Sequence, residues 1–145
     1  MEKENPITKE VEFLFVSQRI RLLGIAIIAG MALVFILGIF VSSSNVNKEL
    51  AYFNLISIVL CVLLCFSSFY VKKMLLQKAG EKKFIPSYFN AHVLPFAMCD
   101  FGGLLCIATN LFINQNIYYA SGGFFIAVLY MIVNFPSRKD LQLIK

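Results

Sequence analysis

Polar positions in this chain come in clusters, and long apolar runs fill the space between them. Residues 22–41 contain no charge and no proline. About 20 residues of helix, rising about 1.5 Å each, cross the roughly 30 Å hydrocarbon layer of a bilayer. Residues 51–71 repeat the pattern, interrupted only by Asn54, Ser57, Ser67 and Ser68 besides tyrosines and thiols. Residues 91–113 are apolar in bulk but hold His92, Pro95, Asp100, Thr109 and Asn110, content that is costly in lipid and predicts burial among other helices. Residues 117–135 make a slightly shorter run that stops at Pro136, whose missing backbone N–H ends a helix. Runs such as 56–66 lack the two-residue alternation of a membrane β-strand. The pattern predicts an all-α polytopic membrane protein with four transmembrane helices arranged as two hairpins.

Five segments follow from it: a cytoplasmic or interfacial stretch 1–21, a first hairpin 22–71, a basic connector 72–90, a second hairpin 91–135 and a tail 136–145. In the first stretch Asn5, Pro6 and Thr8 suit a helix start, Glu10 and Glu12 suit the positive end of its dipole, and Val11, Leu14, Phe15 and Val16 give it an apolar side. It is expected to anchor in the headgroup layer; the other reading is a helix running straight into the first span. The long charged region before residue 22 argues against a cleaved signal peptide. Setting 22–41 against 93–112 aligns Ala26 with Ala97, Leu33 with Leu104 and Ile36 with Ile107, as a tandem duplication of the hairpin would.

Composition strengthens this class. Hydrophobic residues make up 59% and charged residues 14% of 145, with mean hydropathy +0.79, against about 25% charged in soluble domains. No room is left for a soluble domain beside the spans, which excludes a secreted enzyme, a nucleic-acid module and a disulfide scaffold. Twelve of the 13 Lys and Arg fall in the N-terminal stretch, the connector and the tail, with Lys48 alone in an outer loop. Short cytoplasmic loops retain positive charge, so both termini are expected in the cytoplasm and the protein in the cytoplasmic (inner) membrane. The net charge of +5 is then mainly topological. Arg19, Arg21, Lys72, Lys73, Lys82 and Lys83 are expected to meet anionic lipid headgroups.

Packing signals come next. Ala26, Gly30, Val34 and Gly38 recur every four residues in the first span, Gly102 and Gly103 thin the third, and Gly122 and Gly123 the fourth. Small residues in lipid mark close helix contacts, expected here mainly within the chain and secondarily between copies or other subunits.

Asp100 is the one acidic residue inside a predicted span, near the membrane midplane. A carboxyl there either makes a structural hydrogen bond or handles a proton or ion. His92, the only histidine, lies two turns earlier, roughly 12 Å along the helix. A headgroup-level role and a proton-entry role are both open for it. Cys61, Cys65, Cys99 and Cys106 all lie within spans and suit small apolar fillers better than disulfides or metal ligands. No hydrolase elbow, phosphate loop or paired acids occur, so no enzymatic activity, metal or cofactor is expected.

Two glycine-lined hairpins with one midmembrane carboxylate, Asp100 in the run AMCDFGGLL, resemble the proteolipid rotor subunits of rotary ATPases. The resemblance implies a carboxylate-bearing helical ring or proton path, with Asp100 as the carboxylate. From the residues alone the chain reads as a non-enzymatic subunit or accessory of a larger membrane assembly, with an Asp100-dependent proton- or ion-coupled transporter as the alternative.

Overall fold

A computed structural model describes residues 6–41, 51–78, 84–113 and 115–142. Among them the chain is all helical: α1 (Pro6–Val41), α2 (Ala51–Lys78), α3 (Phe84–Ile107), a π-helical turn (Ala108–Ile113), α4 (Ile117–Val133) and a short 3₁₀ turn (Arg138–Gln142). Three helices are long and apolar enough to cross a membrane, over Val11–Val41, Tyr52–Lys78 and Ile85–Ile113; Ile117–Val133 is a shorter apolar helix.

α1 is one continuous helix of 36 residues. The stretch before residue 22 therefore runs directly into the apolar run, as the second of its two readings has it. The reason lies in its spacing. Phe13, Ser17 and Ile20 fall on one face and are buried, and the Phe13 ring meets Tyr88 of α3 at 5.4 Å between centroids. Seven-residue steps carry that face onward through Gly24, Met31 and Gly38, all buried.

The order of packing departs from two side-by-side hairpins. α3 touches each of the other three helices and α4 touches both α1 and α2, whereas α1 and α2 have no extensive contact. Consecutive in sequence, α1 and α2 occupy opposite corners of the bundle, with α3 and α4 across the short diagonal. The cause is side-chain size. Gly103 of α3 lies against Met31 of α1 and Ala127 of α4, and Gly123 of α4 lies against Cys106 of α3, so α3 and α4 approach closely and hold the outer pair apart. α1 and α3 run parallel in matched register, Gly24 beside Phe96 and Gly38 beside Leu111.

The outward surface is apolar: Leu33, Leu37 and Phe40 of α1, Leu55, Leu63 and Phe66 of α2, Phe101 of α3 and Phe125 and Leu129 of α4 are all exposed. Acyl chains are the solvent that such a surface suits.

Candidate functional site

The inward face of α2 is polar. Asn54, Ser57, Cys61, Cys65, Ser68 and Lys72, spaced three or four apart, are all buried, while most of the residues between them are exposed and Ile58, Leu64 and Val71 are half-buried. Helical periodicity turns them into one stripe, facing α3 and α4. A polar stripe inside an apolar bundle persists only when its groups are hydrogen-bonded to one another.

At one end Asn110, in the π-helical turn, donates through its side-chain amide to Ser57 Oγ at 2.8 Å and to the Cys106 carbonyl at 2.8 Å. Ser57 Oγ also donates back to the Asn54 carbonyl at 2.9 Å and lies 3.8 Å from Cys106 Sγ. The stripe continues through the thiols: Cys61 donates to the Gly123 carbonyl at 3.7 Å, and one turn further on the Cys65 carbonyl accepts from Ser68 Oγ at 2.6 Å. Cys99 donates to Ser68 Oγ at 3.3 Å, which also receives the Asn134 amide at 2.8 Å. All four cysteines are free and buried. No group of three or more metal-ligating side chains occurs among the described residues.

At the other end the stripe becomes charged. Lys72 Nζ donates to the carbonyls of Asn134 and Phe135 at 3.3 and 3.2 Å and pairs with Asp140 Oδ2 at 3.2 Å. The last carbonyls of a helix lack partners and carry the negative end of its dipole; the Lys72 ammonium supplies both a donor and a charge at the end of α4. Arg21 of α1 does the same one residue further on, donating to the Pro136 carbonyl at 3.1 Å. His92 of α3 completes the cluster, with Nε2 3.2 Å from Asp140 Oδ2 and Nδ1 2.9 Å from the Tyr88 carbonyl. Both ring nitrogens face acceptors; a neutral ring donates to one of them, a doubly protonated ring to both. The Ser137 amide also donates to Asp140 Oδ2, at 2.8 Å. Burial alone would raise the Asp140 pKa, but the His92 and Ser137 hydrogen bonds and the Lys72 ammonium outweigh it and hold the carboxyl below its ordinary value. With Lys72 at 7%, His92 at 0% and Asp140 at 5% exposure, this is a buried clasp joining α1, α2 and α3 to the segment after α4.

The sequence-derived candidates distribute unevenly around this seam. His92 is buried, enclosed by Tyr88, whose ring centroid is 4.5 Å away, and by Asp140. Lys72 is likewise turned inward, because α2 places it on the Ser57–Ser68 face, and it is withdrawn from the headgroup set. Arg19 and Lys73 are exposed, Arg21 is exposed but spends a guanidinium N–H on Pro136, and Lys82 and Lys83 lie outside the described residues. Gly38, Gly102, Gly103 and Gly123 are buried against neighbouring helices, Gly102 against the Cys61 backbone, and Gly122 is half-buried with Ile58 3.6 Å from where a Cβ would stand. Ala26 and Gly30 differ: both are exposed, and a Cβ on Gly30 would meet nothing within 4 Å. Gly24, not singled out by the four-residue spacing, takes the intrachain role beside Phe96 and Phe135.

Asp100 stands apart from the seam. It is half-buried, halfway along the apolar stretch Ile85–Ile113, and no described residue gives it a hydrogen bond or an ion pair. Two helical turns separate it from His92, and the fold does not bring the two together.

No known family, characterised protein or solved structure matches this chain. The site must be read from its own chemistry.

Lys72, Asp140 and the two asparagines Asn110 and Asn134 escaped sequence reasoning as a set. The available signal was the three-and-four spacing of polar residues in 54–72. Asp140 carried none, because only the turn after Pro136 folds it back under α2 and α3.

Proposed function

We propose that this chain is a non-enzymatic subunit of a larger assembly in the cytoplasmic (inner) membrane, crossing the bilayer four times with both termini in the cytoplasm and joining other membrane chains through α1. At 17 residues, α4 reaches about 26 Å, close to the hydrocarbon thickness, and its packing against α3 supports a full crossing. The clustering of basic residues at the Lys72 end supports a cytoplasmic placement of that end.

The observation that carries the subunit reading is the outward small-residue row of α1. Elsewhere Ser67, Ala97 and Ala108 are exposed singly among large side chains, whereas Ala26, Ala29 and Gly30 together leave a shallow strip on α1 with open space above Gly30. Such small-xxx-small strips let a second helix backbone come close, and none of this chain's other helices uses it. The polar seam supports the same reading from the opposite direction: its donors are spent on one another and on the end of α4, in the manner of a scaffold, with the side-chain oxygens of Asn110 and Asn134 left without a donor among the described residues. Among the described residues no two acids are paired in the interior.

Gly30→Leu tests this. The bundle is expected to unfold at the same temperature in mild detergent, because the new side chain meets only lipid, while the native assembly seen by gel filtration or native mass spectrometry falls apart. An assembly that survives Gly30→Leu unchanged would overturn the reading.

The rotor-subunit resemblance gives Asp100 a proton-carrying role instead, and its half-exposed midmembrane position favours that second reading. Asp100→Asn separates the two. It keeps shape and hydrogen-bonding capacity but holds no titratable proton, so a proton carrier loses flux in liposomes with assembly intact, whereas a subunit without transport shows no flux in either form.

A further inference from the structure

A carboxyl at mid-bilayer depth with no partner among the described residues, set on the rim of a helix pair, is costly to leave facing acyl chains. Asp100 is four residues after Phe96 and three before Gly103, and both of those meet α1; helical phase therefore places Asp100 on the flank of α3 turned toward α1. On α1, Gly30 and Val34 continue at four-residue steps the row that ends at Gly38, which lies against Leu111 and Phe112 beyond α3. The register Gly24–Phe96 and Met31–Gly103 sets Gly30 at nearly the depth of Asp100. The outer crevice between α1 and α3 thus has an open glycine on one wall, the exposed Ala97 and half-buried Asp100 on the other, and no cation of its own.

We infer that this crevice seats a transmembrane helix of another protein that carries a Lys or Arg at mid-bilayer depth, its charge meeting Asp100 and its backbone lying over Gly30. Charge complementarity selects this occupant. A second copy of the chain brings no cation to that depth, only another Asp100 and the neutral hydroxyl of the exposed Ser67, since the runs 22–41, 51–71, 91–113 and 117–135 contain no Lys or Arg, and acyl chains bring no donor. The inference rests on the subunit reading and adds the chemistry of the partner.

The test uses the full-length protein in liposomes, labelled at an engineered exposed cysteine, and two synthetic Leu/Ala helices of about 24 residues, one with a central Lys and one with a central Leu, followed by energy transfer. Wild type should bind the Lys helix roughly tenfold more tightly than the Leu helix, the scale of one interhelical polar contact in lipid. Asp100→Leu, which costs the fold no hydrogen bond, should erase the preference, and Gly30→Leu should weaken both helices. Equal binding of both helices to wild type overturns the pairing with Asp100; if Gly30→Leu still weakens them, the subunit reading stands without it. Binding untouched by Gly30→Leu removes the crevice as the seat. Asp100-dependent self-association with no affinity for either helix makes the occupant a second copy and overturns the inference. Absence of all association defeats this inference and the subunit reading together.

Discussion

Asp140 is where individual side chains matter most to this fold. Its carboxylate answers Lys72, His92 and the Ser137 amide at once, and removing one member of a buried charge cluster strands the rest, at a cost of about 3–5 kcal/mol. Asp140→Asn is therefore expected to lower thermal stability in detergent by about that amount, whereas Lys139→Ala, exposed one residue away, should shift it by less than about 0.5 kcal/mol. The pH dependence has a defined sign. Because the folded carboxyl titrates below its ordinary value of 3.8, its contribution is full above that pH and is lost as pH falls through the lower folded value. Unfolding followed from pH 6 down to 2 should show an acid-side loss in wild type that is absent from Asp140→Asn. At this scale the sequence said little. It flagged His92 as the only histidine and Asp100 as the only acid in a span, yet the chemistry gathered around Lys72 and Asp140, 68 positions apart, and no local pattern joins two residues that meet only after α4 has folded back.

Helices were far more legible than their neighbours. A period of about 20 apolar residues is a local property, and each apolar run did form a helix. Helices outlast the apolar runs where packing continues: α1 begins at Pro6 because Phe13, Ser17 and Ile20 continue its buried face, and α2 runs on into the connector to Lys78, as the sequence through Leu76 suggests, because Lys72 and Leu76 are buried beyond the last apolar run. The four-residue row Ala26–Gly30–Val34–Gly38 merged two faces, since 3.6 residues per turn rotates such a row away from any fixed direction. Gly38 ends inside and Gly30 outside. Substitutions should separate them. Gly123→Val drives a branched side chain into Cys106 and should cost about 1–3 kcal/mol of stability, while Gly30→Val, facing open space, should stay within about 0.5 kcal/mol; thermal unfolding of the two purified variants in the same detergent decides.

The whole molecule is a bundle whose outside is lipid-like and whose inside is partly polar, the inverse of a soluble four-helix protein. Class and helical content were visible in composition. The corner positions of α1 and α2 were not, because a short connection ordinarily makes neighbours of consecutive helices, and only the glycine contacts of α3 with α4 override that default. The polar seam, the open strip on α1 and the unpartnered Asp100 acquire their meaning only if all four helices lie together across one bilayer, with α4 as a true crossing. Single cysteines placed at Gln115 and Arg138, on either side of α4, test this most directly, since all four native thiols are buried. In sealed, right-side-out vesicles a membrane-impermeant maleimide should label Gln115→Cys from outside and Arg138→Cys only after the membrane is opened. Labelling of both from the same side would contradict the four-helix crossing.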